Sequence, residues 1–319
     1  MKRLSVQSTV SVVAVLVLAI AGINLFRVIN AEQPQDEPTV LKQDQKAISN
    51  EAFAYVFPAS ETSYIPFLDS SRKRPELTAR SAIVYDTQSS RFLFAQDTKK
   101  RLPIASLTKI LSAIVTIEKL NPEDIATVGK DSVRVDGLRR SLEAGEQMRV
   151  KNLMKMMLIE SSNDAAYAIA AHAKTLGIDF LAEMNKKVEQ IAMNESLFLD
   201  PAGLNDNGYS TTQDLVKLVV YALRYNEIWT LLQVKEIVLT SEDGAIVHSI
   251  ENTNELLGTI PNISGGKTGY TDAALGSMIL IVDIPGYRDK IVSIILGSKD
   301  RFGDTRKLVD WITDAYRWE

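Results

Sequence analysis

The chain has 319 residues, 45% of them hydrophobic, and a formal net charge of -4. That length allows one large domain or two smaller ones with a sizeable core, and so mild an acidity leaves no electrostatic footprint for nucleic acid. With no cysteine and only two histidines, His172 and His248, disulfide frameworks and Cys/His metal clusters are excluded, and no metal or cofactor is expected.

Residues 1–31 read as a signal peptide or an N-terminal membrane anchor. Lys2 and Arg3 give a positive start, and an apolar run follows from Val10 to Phe26. The run is at the short end for a membrane span and slightly long for a signal-peptide core. Ile29-Asn30-Ala31 offers a cleavage site, although Arg27 directly after the apolar run suits one poorly. Either way the positive start keeps the N-terminus cytoplasmic and sends the rest of the chain across. Residues 32–77, rich in Glu, Gln, Asp, Pro and Lys, read as a linker with one short apolar patch, Ala52 to Phe57.

Residues 78–319 read as the folded domain. Ala82–Asp86 and Arg91–Ala95 predict a hairpin about Thr87-Gln88-Ser89-Ser90. Apolar residues at helical spacing, Leu107, Ile110, Leu111, Ile114, Val115 and Ile117, predict a helix from Ser106 to about Leu120. A Met- and Leu-rich helix follows over Val150–Ile159, with its methionines read as core. Glu160-Ser161-Ser162-Asn163-Asp164 interrupts it, and helices resume over Ala165–Lys174, Phe180–Met193 and Thr212–Tyr225. The pattern then changes to period 2. Glu236–Thr240 pairs with Ala245–His248, and Leu275–Val282 with Lys290–Leu296. A last helix is expected over Thr305–Trp318. The fold class is therefore α+β: an antiparallel sheet built from both ends of the domain, flanked by helices, beside an all-helical subdomain.

Three stretches carry chemistry. Ser-x-x-Lys occurs at Ser70/Lys73, Ser106/Lys109 and Ser264/Lys267, where chance supplies roughly one. Ser70 lies in a polar run and Ser264 precedes two glycines; only Ser106 opens a helix. There the spacing puts both side chains on one face, where a neutral lysine can take the serine's proton. The plain alternative, an N-cap serine and a surface lysine, stays open. Ser161-Ser162-Asn163 stands at a helix–helix break and supplies a hydroxyl and an amide, or simply a capping turn. Lys267-Thr268-Gly269 is the rarer pattern, of which chance supplies well under about a tenth of a copy in a chain this long. It stands before a predicted strand, where a cation and a hydroxyl can bind a carboxylate. A glycine-rich turn with a surface lysine is the alternative.

Together and in this order, the three match the trio of class A β-lactamases and penicillin-binding proteins. From about Ser81 to the end, the chain resembles the low-molecular-mass penicillin-binding proteins that are serine D-alanyl-D-alanine carboxypeptidases, the S11 peptidases. Pro103–Lys109, Glu160–Ala166, Asp200-Pro201-Ala202-Gly203-Leu204, Tyr209-Ser210-Thr211, Asn252–Leu257 and Gly266–Thr271 carry the likeness. The resemblance implies that Ser106 is acylated, Lys109 is its base and Ser161 relays a proton. It implies that Asn163, Lys267, Thr268, Gly269 and Tyr270 bind substrate, with an oxyanion hole at the Ser106 and Tyr270 N–H groups. Arg301 falls where a family arginine stands near the carboxylate site. The implied fold is DD-peptidase/β-lactamase-like, with the active site between sheet and helical subdomain.

The implied partners are peptidoglycan pentapeptide stems, β-lactam antibiotics as covalent inhibitors, and the membrane through the N-terminal segment. The implied location is the extracytoplasmic face of a bacterial cell membrane, anchored or secreted. The chain departs from the family at Ser162, commonly glycine, at Gly265-Gly266, commonly apolar before the lysine, and over Asp272–Gly276. It ends one helix after the catalytic strands, without the C-terminal β-domain and amphipathic anchor of many members, which favours an anchoring role for the N-terminal segment. Three rival readings remain. A β-lactamase needs an added glutamate, for which Glu143 and Glu146 are the candidates. A DD-endopeptidase differs only in its leaving group. A non-enzymatic wall-binding module is expected to have lost one of Ser106, Lys109 or Lys267.

Overall fold

A computed structural model describes residues 65–133, 141–287 and 290–318, all within the unit Ser60–Glu319. The targeting region 1–31 and the linker as far as residue 64 lie outside the described residues. The main sheet is formed by β2 (Ser81–Asp86), β3 (Arg91–Gln96), β8 (Ile263–Thr271), β9 (Leu275–Asp283) and β10 (Lys290–Ser298). It is antiparallel throughout, in the order β3-β2-β10-β9-β8. Sequence-distant strands thus meet in one sheet, as the α+β expectation required. The β2–β3 turn is closed by Asp86, whose Oδ1 accepts from the N–H groups of Gln88 (3.1 Å) and Ser89 (2.9 Å).

β9 and β10 are apolar almost without interruption because both faces of the sheet are covered. Alternation along each strand sorts their side chains into two cores. Ile279, Ile281, Val292 and Ile294 join the helical block, whereas Met278, Leu280, Val282, Ile291 and Ile295 pack with the C-terminal helix. The block comprises α1 (Thr108–Lys119), α2 (Val150–Ile159), α3 (Asn163–Thr175), α4 (Phe180–Gln190), α5 (Thr212–Ala222) and α6 (Asn226–Leu231). α1 runs through its centre, with every residue from Thr108 to Thr116 buried. Two small ribbons flank it, β4 (Ile125–Thr127) with β5 (Gln147–Arg149), and β6 (Glu236–Thr240) with β7 (Val247–Glu251).

The C-terminal helix, α7, spans Arg301–Ala315, four residues earlier at its start than periodicity indicated. Its N-cap is Asp300, which accepts from Gly303 N–H at 2.9 Å, so the cap rather than the apolar spacing sets the boundary. The last residues leave the helix: Tyr316–Trp318 forms β11 and pairs with β1 (Pro66–Leu68). Part of the stretch read as linker is therefore a strand, and Leu77 packs on the second core. Helical periodicity carries no trace of a partner so far away in the chain. Trp318 is buried and donates from Nε1 to Asp86 Oδ2 at 2.9 Å, and the Tyr316 hydroxyl donates to Leu93 O at 2.7 Å.

These anchors make a test of the closing strand. Trp318→Ala should destabilise the domain by about 3–5 kcal/mol, the range for truncating a large buried aromatic side chain. Urea denaturation measures it; a loss below about 1 kcal/mol would show that β11 is not part of the cooperative unit.

Candidate active site

Ile104 leads into one 3₁₀ turn, Ala105–Leu107, which continues as α1. The N-cap of α1 is Leu107, without a side-chain cap, so Ser106 is not the helix cap of the plain alternative. Nor is Lys109 on the surface: it is fully buried. Its Nζ lies 2.8 Å from Ser106 Oγ, 2.8 Å from Asn163 Oδ1 and 2.8 Å from Ala202 O. Burial lowers its pKa to about 7, against the opposing pull of Asp200. A lysine so placed holds a large neutral fraction at neutral pH.

The turn that carries Ser106 is strained, with Ala105 at φ 49°. Two glycines hold it from opposite chain segments. A Cβ on Gly203 would stand 1.9 Å from Ala105 O, and one on Gly269 would stand 2.9 Å from Ile104 O and 3.1 Å from Ser106 N. Gly203 itself has φ 79°, a second reason for glycine there. The close approach of β8 to the Ser106 turn is thus a property of the glycine in Lys-Thr-Gly.

The second stretch sits between α2 and α3. Ser161 is half-buried with φ 66°, and its hydroxyl makes no hydrogen bond among the described residues. Ser162 is the N-cap of α3, its Oγ accepting from Ala165 N–H at 3.2 Å. Its φ is −56°, so nothing in the backbone demands the glycine common at this place, and the serine adds a cap. Ser141 Oγ lies 3.2 Å from Ser162 Oγ and donates to Glu160 Oε1 at 2.7 Å. Asn163 opens α3 and turns its amide oxygen to Lys109.

The third stretch lies within β8, not before a strand. Gly265 and Gly266 are extended rather than turned. Gly265, at φ 135° on a bulge, faces Trp229 on α6: a Cβ would meet its Cε3 at 3.1 Å. A Cβ on Gly266 would come within 2.8 Å of Asn254 Nδ2 and 2.9 Å of Leu280 Cδ1. β8 is the edge strand of the sheet. Lys267 is buried in it, its Nζ donating to Thr268 O at 3.1 Å. Thr268 Oγ1 donates to Thr253 Oγ1 at 2.6 Å, and Thr253 N–H to Ile159 O at 3.2 Å, which ties β8 to the end of α2. Beyond Gly269, Tyr270 is half exposed, and Thr271 Oγ1 donates to Asp206 Oδ1 at 2.7 Å. The unusual Asp272–Gly276 sequence keeps the ladder in register, with Thr271 opposite Leu275 and Tyr270 opposite Gly276.

Arg301 starts α7 next to that ladder end; a Cβ on Gly276 would stand 3.0 Å from Arg301 Cβ. Its Nε is buried without a hydrogen-bond partner among the described residues. Burial lowers the guanidinium's pKa, while Glu255 and Tyr270 act in the opposite direction. Of the two candidate glutamates for a β-lactamase role, Glu146 is already engaged. Glu146 meets His248 Nε2 at 2.6 Å through Oε1 and accepts from Glu143 N–H at 3.0 Å through Oε2, and Glu143 is exposed. Ala202, Asp200 and Thr253 lie in segments that carry the family likeness, yet side-chain chemistry assigns them no part. Their contribution runs through backbone groups or a shared hydroxyl, which no residue spacing signals.

The family model for peptidase S11, D-alanyl-D-alanine carboxypeptidase, matches residues 69–299. The chain belongs to this family. Among curated relatives, it is 28% identical over 247 residues to the D-alanyl-D-alanine carboxypeptidase DacF of Bacillus subtilis, covering 75% of this chain and 63% of that one. It is 26% identical over 246 residues to the D-alanyl-D-alanine endopeptidase of Escherichia coli, covering 75% of this chain and 78% of that one. Of solved structures, penicillin-binding protein D2 from Listeria monocytogenes in its ampicillin-bound form aligns with a TM-score of 0.64 and 29% identity. That alignment covers 76% of this chain and 99% of the other. The α+β, DD-peptidase-like fold read from the sequence is thus the family's fold.

The burial of Lys109 in this S11 peptidase gives a direct measurement. In protein carrying ¹³C-labelled lysine, one ε-carbon signal, absent from Lys109→Met, should titrate near pH 7. If every lysine titrates above about 9, as unperturbed lysines do, the amine is charged at neutral pH and the arrangement is not a base.

Proposed function

We propose that the protein is a serine-type D-alanyl-D-alanine carboxypeptidase acting on peptidoglycan stem peptides through an acyl-enzyme on Ser106. The observation that carries this reading is the buried Lys109 amine, 2.8 Å from Ser106 Oγ. A neutral amine has two N–H donors and one lone pair. With Asn163 Oδ1 and Ala202 O each taking an N–H, the lone pair is left for the Ser106 hydroxyl proton. These partners orient the lone pair, and burial favours the neutral form that carries it.

In this mechanism Ser106 Oγ attacks the carbonyl carbon of the penultimate D-alanine while its proton passes to Lys109. The oxyanion takes hydrogen bonds from the N–H groups of Ser106 and Tyr270, a contribution of about 3–4 kcal/mol per donor in comparable sites. The proton then reaches the leaving nitrogen by way of Lys109 and Ser161. The C–N bond breaks, and D-alanine departs with its carboxylate held by Lys267, Thr268 and Arg301. Asn163 and the β8 edge at Gly269 hold the remaining peptide. Water repeats the sequence, with Lys109 again as base, and frees Ser106 and a shortened stem. A β-lactam enters the same path: its ring C–N bond opens, but the amine stays tethered, so the acyl-enzyme persists.

A second reading, endopeptidase, is favoured by the description of the Escherichia coli relative. It differs in that the leaving amine belongs to a cross-linked neighbouring stem. The substrate places either activity in the cell envelope, on the extracytoplasmic face of the membrane, with residues 1–31 as anchor or cleaved signal. Among the described residues no helix is long and apolar enough to cross a membrane.

The test is intact-mass analysis of the full chain with a penicillin, beside Ser106→Ala. A lasting adduct of one drug mass is expected, absent from the variant. Its rate of formation should fall as pH drops through about 7, because protonated Lys109 cannot accept the Ser106 proton. An adduct lost within seconds as drug is consumed would mean a β-lactamase. No adduct on folded protein would leave the wall-binding module. Release of D-alanine from a pentapeptide, against cleavage of a cross-linked dimer, separates carboxypeptidase from endopeptidase.

A further inference from the structure

Asp200 takes no part in the mechanism above, yet it is a buried carboxylate with no ion pair among the described residues. Its Oδ1 accepts from the N–H groups of Ala202 (2.7 Å), Gly203 (2.6 Å) and Leu204 (3.2 Å), and its Oδ2 from that of Asn205 (2.7 Å). Such a set of backbone donors suits a charged carboxylate without a cation. It also fixes where the other ends of the same peptides point. A trans peptide is planar, with N–H and C=O directed oppositely. The Gly203 N–H and the Ala202 carbonyl belong to one peptide unit: the N–H is held by Asp200 and the carbonyl meets Lys109 Nζ. The Ala202 N–H and the Pro201 carbonyl belong to the unit before it: the N–H is held by Asp200 and the carbonyl accepts from Ser112 Oγ at 2.6 Å. Two successive peptides thus run from one carboxylate to α1, one to the base and one to a neutral hydroxyl a turn further on.

We propose that Asp200 is a positioning residue for the general base, acting through the Ala202–Gly203 peptide to hold the Ala202 carbonyl on the Lys109 amine. The inference rests on the reading of Lys109 as base. A carbonyl fixed in this way removes one amine hydrogen and, with Asn163, aims the lone pair at Ser106. A carboxylate on the N–H side also polarises the amide and makes its carbonyl a better acceptor. Without Asp200 the 200–205 loop has no centre to wrap, and the amine is free to rotate its lone pair away from the nucleophile.

Asp200 acts on a group whose other neighbours must be accounted for. Of the elements packed around Lys109, α3 carries Asp164 and Tyr167, and β8 carries Lys267. The Tyr167 phenol is pushed up to about 12, chiefly by burial, and stays neutral through the working range. On α4 and α5, Glu183 pairs with Lys119 and Lys186, Lys187 with Glu118 and Asp214 with Lys217, and Glu189 is exposed.

The experiment uses the full chain with Asp200→Asn, Asp200→Ala, Ser112→Ala and Lys109→Met. It reads penicillin acylation and D-alanine release against pH, each corrected for folded fraction by thermal melting. Asp200→Asn can keep the three Oδ1 bonds but has no charge and sets an NH₂ against the Asn205 N–H. It should lower kcat by about 10–100-fold, the scale for misplacing a reacting group, with KM little changed because Asp200 touches no substrate. Its acid limb should move to lower pH, since a negative charge that favours the ammonium has gone. Asp200→Ala should lose more activity, or fail to fold, in which case the Asn variant decides alone. Ser112→Ala loosens the same loop through its other arm and should leave the acid limb in place.

Wild-type kcat and acid limb in the Asp200 variants would overturn the proposal. So would an equal shift in Ser112→Ala, which would reduce Asp200 to a loop residue. If Lys109→Met still acylates, the reading of the base fails first, and the inference falls with it.

Discussion

A lysine amine removed from water is the constraint on which the rest of this structure turns. Burying an ammonium group is costly unless it is paired, and the group's usual response is to lose its proton. Here, among the described residues, the amine has no carboxylate within hydrogen-bond distance. It has three neutral oxygens, each from a different segment: Ser106 from the turn before α1, Asn163 from the start of α3 and Ala202 from the loop beyond α4. One nitrogen therefore registers the relative position of three parts of the chain. A shift in any of them changes both the protonation of the lysine and the direction of its lone pair.

The two cores keep those parts in place. β9 and β10 contribute to both, so the helical block and α7 are packed through the same strands. The edge strand β8 is held on one side by its ladder with β9 and on the other by contact with the Ser106 turn. Thr253, between Thr268 and the end of α2, joins this strand to the segment that carries Ser161. The strain at Ala105 and Ser161, both in the left-handed region, is sustained because the surroundings leave those backbones no alternative.

How much of this could be read beforehand depended on where the information lay. The helix over Val150–Ile159 was legible to its last residue, since its apolar spacing and the polar break after it are local. Strands β9 and β10 were legible as apolar runs. β8 was not: Gly265 and Gly266 signal a turn on propensity, and only Trp229, Asn254 and Leu280, distant in sequence, explain why glycine belongs in that strand. The pairing of Tyr316–Trp318 with Pro66–Leu68 was invisible for the same reason. At the site, Ser106, Lys109, Asn163 and Lys267 announce themselves by side-chain chemistry and spacing. Asp200 does not, because its effect passes through peptide groups that every residue has.

The glycine grip on the Ser106 turn has a consequence for how this protein would respond to sequence variation. Gly203 and Gly269 carry no functional group, yet any side chain at either position drives into the backbone next to Ser106 before it meets anything else. In a saturation scan both would score beside the proposed nucleophile Ser106, and a ranking by tolerance alone would place two residues without chemistry among those proposed to react. The empty volume where their side chains are absent is what the Ser106 turn stands on.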